Sequence, residues 1–260
     1  MENPPRAPIG RYWTKAIHIN VEKKGGGGTM KKTGIVGGIG PASTVEYYLG
    51  LVRKSLKEKP GGAYPEIVID SVNMLEHDAA LERGDLSSLG EHVLSSLSNL
   101  KAAGAEIAGI AANTEHIVWD AICDRFPLPV VSIVEATAQE LERHRFRKVL
   151  VLGTEPTLRS GLYKKALVKR GIEVIALSDG DISFLDKLIY PNLENGNVIP
   201  RDRERIVALA NRYCKEGAAD AIVLGCTELP LAVRPSDVAV PIVNTTQVHI
   251  DAIYRRARWD

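Results

Sequence analysis

The segment Gly225-Cys226-Thr227-Glu228 places a thiol directly after the apolar run Ala221-Ile222-Val223-Leu224. That is where open α/β sheets bind ligands, beyond the carboxyl ends of their strands. A thiol there is a candidate acid or base, because helix N-termini and neighbouring donors can bring its titration toward neutrality. The bland alternative is a buried small hydrophobe, which is how most free cysteines behave. Cys123 and Cys214 fall within helical patterns and read as core or half-buried residues. His116 follows another strand end and either buttresses its loop or serves as an acid or base. His249 opens the last helical pattern and is a candidate cleft residue. His18, His77, His92 and His144 read as surface or packing residues.

These groups need elements to hold them. Apolar runs at 33–37, 66–70, 107–112, 130–133, 148–153, 172–177, 221–225 and 241–244 read as strands. Helical periodicity fills the intervals, notably 43–57, 86–103, 116–124, 135–144, 157–170, 203–216 and 248–256. Strands that alternate with helices, and are apolar on both faces, imply parallel sheets covered on both sides. The fold class is α/β.

Two stretches of the chain resemble each other. Ile110-Ala111-Ala112-Asn113-Thr114-Glu115 parallels Val223-Leu224-Gly225-Cys226-Thr227-Glu228. The run from Gly34 to Tyr48 parallels that from Val149 to Tyr163. Gly38 to Ala112 spans 74 positions and Gly153 to Cys226 spans 73. A repeat this long predicts two similar lobes rather than a solenoid. It places Ala112 and Cys226 at equivalent strand ends, facing one cleft.

Four segments carry a family resemblance: Gly34 to Tyr48, Asn113-Thr114-Glu115-His116, Leu152-Gly153-Thr154, and Leu224-Gly225-Cys226-Thr227-Glu228-Leu229-Pro230. In this order and spacing they resemble the aspartate/glutamate racemase family, from Met30 onward. The resemblance implies two pseudo-symmetric Rossmann-like (flavodoxin-like) lobes with parallel sheets and an inter-lobe active site. The expected lobes are 30–128 with 240–260, and 129–239. It also implies racemisation of an amino acid of the aspartate or glutamate class, with no cofactor or metal, usually in a homodimer. On the matching positions it implies Cys226 as a catalytic thiol. Around the substrate it implies Ile39, Gly40, Asn73, Asn113, Thr114, Thr154, Thr227 and His249. Inverting a carbon requires a proton to leave one face and another to arrive at the opposite face, so two facing acid/base groups suffice. Donors near the substrate carboxylate would stabilise the enediolate-like intermediate.

The chain departs from that pattern at the first cysteine position, which holds Ala112, and at Glu115, where a small residue is usual. Alanine carries no proton, so a symmetric two-thiol mechanism is excluded for this chain. The alternatives are an engineered Cys→Ala exchange, a native enzyme in which Glu115, His116, Thr114 or a water serves that face, a single-thiol decarboxylase or lyase of a malonate-like acid, and a weakly active homologue. Asn195 stands near where some members carry a lysine for a substrate carboxylate. With Glu115 it weighs against a dicarboxylate substrate. Gly37-Gly38-Ile39-Gly40 is close to a dinucleotide fingerprint, but the third glycine is absent. A dinucleotide-binding protein, with Asp70 on a ribose, is the remote alternative.

The totals narrow the classes further. A net charge of +1 over 260 residues gives no field for nucleic acid or a membrane surface. Aromatic residues at 5% argue against a stacking platform for single strands. Three widely spaced cysteines without a CxxC pair support neither a structural zinc nor a disulfide framework, and free thiols suit the cytoplasm. No apolar run is long enough to span a bilayer. The first 29 residues, rich in proline and then glycine, read as an expression tag or flexible extension. Their alternative is a native arm using Trp13 and residues 17–21.

Overall fold

A computed structural model of the chain describes residues 30–59 and 64–258. The leader at 1–29, with Trp13 and His18, lies outside the described residues. The strands are β1 (Thr33–Gly37), β2 (Ile67–Ser71), β3 (Ile107–Ile110), β4 (Val130–Val131), β5 (Lys148–Leu152), β6 (Glu173–Ile175), β7 (Ala221–Leu224) and β8 (Ile242–Asn244). The helices are α1 (Pro41–Glu58), α2 (Met74–Glu82), α3 (Leu86–Ala102), α4 (Trp119–Ile122), α5 (Ile133–Arg143), α6 (Glu155–Arg159), α7 (Leu162–Val168), α8 (Asp179–Leu188), α9 (Pro200–Gly217), α10 (Leu229–Ala232) and α11 (Thr245–Ala257).

The strands form two four-stranded sheets, ordered β2-β1-β3-β4 and β6-β5-β7-β8. Every pairing is parallel. The central strands are buried along their whole length, as expected where helices cover both faces. The repeat extends to single hydrogen bonds. The Ala111 amide donates to the Val36 carbonyl at 2.8 Å, and the Gly225 amide donates to the Leu152 carbonyl at 2.7 Å. Ala112 and Cys226 are the next residues in each case, so they occupy equivalent places in the two sheets.

Chain order reverses direction between β1 and β3 in one sheet and between β5 and β7 in the other. A crevice opens at such a switch point because the flanking connections leave to opposite faces. Both crevices meet between the lobes. Two exchanged helices hold the lobes together. Helix α5 leaves the first sheet, and its Ile133 and Leu141 pack on Val149, Val151 and Val223 of the second. Helix α11 leaves the second sheet, and its Ile250, Ile253 and Tyr254 pack with Ile35, Tyr47 and Leu51 of the first. Gly109 permits this approach, because a Cβ there would lie 2.3 Å from Ile253.

The sheets change over later than the expected lobe limits of 129 and 240. Val130–Val131 pairs with β3 of the first sheet, and Ile242–Asn244 pairs with β7 of the second. The reason is the helix exchange: each lobe's last strand completes its own sheet before its following helix crosses over. Two local readings also change. The helix expected over 116–124 is a 3-10 turn (Thr114–Val118), α4 and a second 3-10 turn (Cys123–Arg125). Helix α2 is new, and its weak amphipathic pattern explains why periodicity missed it.

Candidate active site

The cleft between the two switch points is lined from the first lobe by Ile39, Gly40, Ala112, Asn113, Thr114 and Glu115. The second lobe contributes Thr154, Cys226, Thr227 and Glu228. Its free volume is about 40 Å³. A larger cavity of about 850 Å³ lies behind the 112–118 loop, between α5, α7 and α11. It holds no thiol, so size alone does not locate the chemistry.

Cys226 is 5% exposed. Its Sγ donates to Glu228 Oε2 at 3.2 Å, and the Thr227 hydroxyl donates to the same oxygen at 2.7 Å. The expected lowering of the thiol's titration is not found. Burial pushes it well above the ordinary range, and the Glu228 carboxylate adds to that. The backbone amides of Glu228 and Leu229 pull the other way and do not prevail. Cys226 therefore rests as a protonated thiol, a proton donor.

Glu228, quoted in the motif but given no role from sequence, crosses the cleft. A Cβ on Gly40 would stand 2.8 Å from its Oε1, so glycine at 40 makes room for this carboxylate. Oε1 has no hydrogen-bond partner although Glu228 is only 6% exposed. Burial raises its pKa, while the bonds from Thr227 and Cys226 oppose the rise.

The first lobe's loop is anchored from behind. Ser43 on α1 donates to the Ala111 carbonyl at 2.8 Å, and the Gly38 amide donates to Thr44 Oγ1 at 2.8 Å. Gly38 has φ +89°, a conformation that favours glycine. The amide of Ile133 donates to His116 Nε2 at 3.3 Å, so His116 Nδ1 carries the hydrogen and donates to the Ala112 carbonyl at 3.0 Å. Burial holds His116 neutral, with its pKa lowered to about 3. His116 is a buttress and does not line the cleft. His249 is also withdrawn. Its Nε2 donates to the Val131 carbonyl at 2.8 Å, which leaves Nδ1 to accept from Tyr47 Oη at 2.7 Å. Burial lowers its pKa to about 4.

Asn113, Thr114, Thr154 and Thr227 line the cleft. Tyr163 donates to Asn113 Oδ1 at 2.6 Å, orienting the side-chain amide. Thr114 Oγ1 lies 3.3 Å from Thr154 Oγ1 and 3.0 Å from Thr157 Oγ1, a hydroxyl cluster that joins the lobes. Asn73 is not at the cleft. Its Oδ1 accepts from the Leu75 amide at 3.3 Å and caps α2. Asn195 is exposed, and its side chain donates to the Pro191 carbonyl at 2.6 Å.

Glu115 is 1% exposed, and neither of its oxygens has a hydrogen-bond partner. His77 Nδ1 is 3.8 Å from Oε1, beyond hydrogen-bond reach. A buried carboxyl left unsatisfied is costly, and it persists where function requires it. Beside Leu81 and Gly225, the cleft is also lined by Asp78 from α2, Tyr190 and Glu194. Sequence reasoning missed all three. They come from segments far apart in the chain, with no motif to join them. Burial, then Asp78 and Glu228, push Glu194 up to about 7.

Known proteins resemble this chain over most of its length. The model of the Asp/Glu/Hydantoin racemase family matches residues 36–253. The broad specificity amino-acid racemase RacX of Bacillus subtilis (strain 168) is 26% identical over 219 residues, 82% of this chain and 92% of that protein. The glutamate racemase of Aquifex aeolicus is 30% identical over 139 residues, about half of either chain (52% and 51%). An aspartate racemase homologue from Pyrococcus horikoshii OT3 superposes with a TM-score of 0.75 at 35% identity, covering 88% of this chain and 99% of that one.

Proposed function

This chain belongs to the Asp/Glu/hydantoin racemase family, and we propose that it interconverts the enantiomers of an amino acid by proton transfer at the α-carbon, with Cys226 as the acid on one face. One observation carries the thiol's role: Ala112 and Cys226 occupy equivalent strand ends and line the same cleft. A carbon held between them meets each lobe on an opposite face. Donors for its carboxylate are at hand in Asn113, Thr114, Thr154 and Thr227. The cofactor-independent scheme, the homodimer and a cytoplasmic setting are part of the same proposal.

Ala112 cannot move a proton, so Glu115 takes that face. It stands on the same loop, lines the cleft and has no hydrogen-bond partner. The Glu115 carboxylate removes the α-hydrogen as a proton and leaves its electron pair on the substrate. The Cys226 thiol then donates its proton to the opposite face. Glu115 ends protonated and Cys226 ends as thiolate, which is the form that turns over the other enantiomer. Glu228, beside the sulfur, favours the thiol and so favours proton return.

The test is exchange of the substrate α-hydrogen with deuterium in heavy water across a panel of amino acids. Exchange is expected in the native chain and its loss in Cys226→Ser. If no amino acid exchanges, the racemase reading fails.

A second reading follows from the single thiol: decarboxylation of a malonate-like acid, with Cys226 protonating the carbanion. Carbon dioxide release with one product enantiomer would identify it. The carboxyls lining the cleft repel such a dianion, which favours the first reading.

A further inference from the structure

Four carboxyl groups line the cleft: Asp78, Glu115, Glu194 and Glu228. No lysine or arginine is among the lining residues described. That is the reverse of what a second substrate carboxylate needs. The acids are only partly satisfied internally. Both oxygens of Glu115 and Oε1 of Glu228 lack hydrogen-bond partners, with the side chains more than nine-tenths buried. Among the described residues, no three of His, Cys, Asp and Glu stand close enough together to hold a metal ion. The acids therefore suit an organic cation better than a metal ion.

The depth of each group sets the substrate's direction. Cys226, Glu115 and Glu228 are deep, so the α-carbon and its ammonium lie there. Asp78 and Glu194 are only partly buried and mark the outer end. Burial and then the Asp78 carboxylate push Glu194 up to about 7, while burial and then the Glu115 carboxylate raise the Asp78 pKa. Like charges crowded this way are relieved by a cation placed between them.

We infer that Asp78 and Glu194 select an amino acid whose side chain ends in a cation, an ω-ammonium or a guanidinium, over aspartate and glutamate. The inference rests on the racemase reading for the placement of the α-carbon, and the two can fail separately.

The experiment is equilibrium binding by calorimetry to the full chain, at about pH 8.5 so that Glu194 is ionised. The probes are L-lysine, L-ornithine, L-norleucine as the neutral near-isostere, L-aspartate and L-glutamate. Lysine or ornithine is expected to bind about tenfold or more tighter than norleucine, with the acidic pair weaker still. In Asp78→Asn/Glu194→Gln the lysine advantage should fall to within about threefold, with norleucine unchanged. The wild-type comparison stands even if that variant does not fold. Aspartate or glutamate binding as tightly as lysine overturns the inference, as does a lysine advantage that survives the double substitution. Tight aspartate binding with α-exchange would leave the racemase reading intact. Lysine binding without α-exchange of any amino acid would overturn that reading and leave this one. Absence of binding by every probe overturns both.

Discussion

The thiol of Cys226 donates to Glu228 Oε2 across 3.2 Å, and the other oxygen of that carboxylate reaches over the cleft to Gly40. One residue thereby links the reactive sulfur to the opposite lobe. A carboxylate beside a thiol disfavours the thiolate, and burial does so more strongly. The arrangement keeps a proton on sulfur until a substrate carbanion takes it.

Gly40→Ala should disturb that link. The added Cβ would meet Glu228 Oε1 at 2.8 Å, so the carboxylate must withdraw. With Glu228 displaced, the thiol loses one cause of its raised pKa. The pH midpoint of Cys226 alkylation, followed by mass spectrometry, should move down. A midpoint equal to wild type would mean that Glu228 does not govern the sulfur.

Ala112→Cys should restore a proton carrier at the place equivalent to Cys226. A general acid or base contributes about 10²–10⁴-fold in typical cases. An increase in racemisation rate of about tenfold or more is expected, since Glu115 already supplies part of that function. Polarimetry with a responsive amino acid reads it directly. No change would show that position 112 does not face the reacting carbon.

Glu115→Gln separates function from stability. The α-exchange rate should fall about 100-fold through loss of the base. Thermal stability should hold or rise, because a buried carboxyl without hydrogen-bond partners is replaced by a neutral amide. A variant that unfolds earlier yet exchanges at the native rate would assign Glu115 a structural role only.

His116 and His249 make the protein acid-labile. Both are neutral in the fold, with pKa values lowered to about 3 and about 4 by burial. Unfolded, they take up protons near pH 6.5, so the unfolded chain gains as the pH falls below that value. The stability is fully present above about pH 6.5 and is lost on acidification, by about 2 kcal/mol per histidine at about pH 5. Urea unfolding at about pH 7.5 and 5 should show a smaller drop for His249→Gln, whose amide can keep both hydrogen bonds. An equal drop in the two proteins would exclude His249 as the source.

The sequence by itself determined the alternation of strands and helices, the repeat, the family and the position of Cys226. Those depend on local apolar runs and on short motifs whose spacing survives in one dimension. It also located Ala112, because equivalent strand ends follow from counting along the two halves. Tertiary structure alone decided which polar groups meet. By position His249 looked like a cleft residue and His116 was either a loop buttress or an acid or base, but each turns inward to bond backbone carbonyls, His116 that of Ala112 and His249 that of Val131. Asn73 looked like a ligand residue and instead caps α2. Asp78, Glu194 and Glu228 share one cleft only because two sheets face each other, and no run of sequence records that. The direction of the Cys226 shift was likewise invisible. A strand-end thiol beside helix amides reads as activated, but burial and a neighbouring carboxylate outweigh those amides, and both are products of packing.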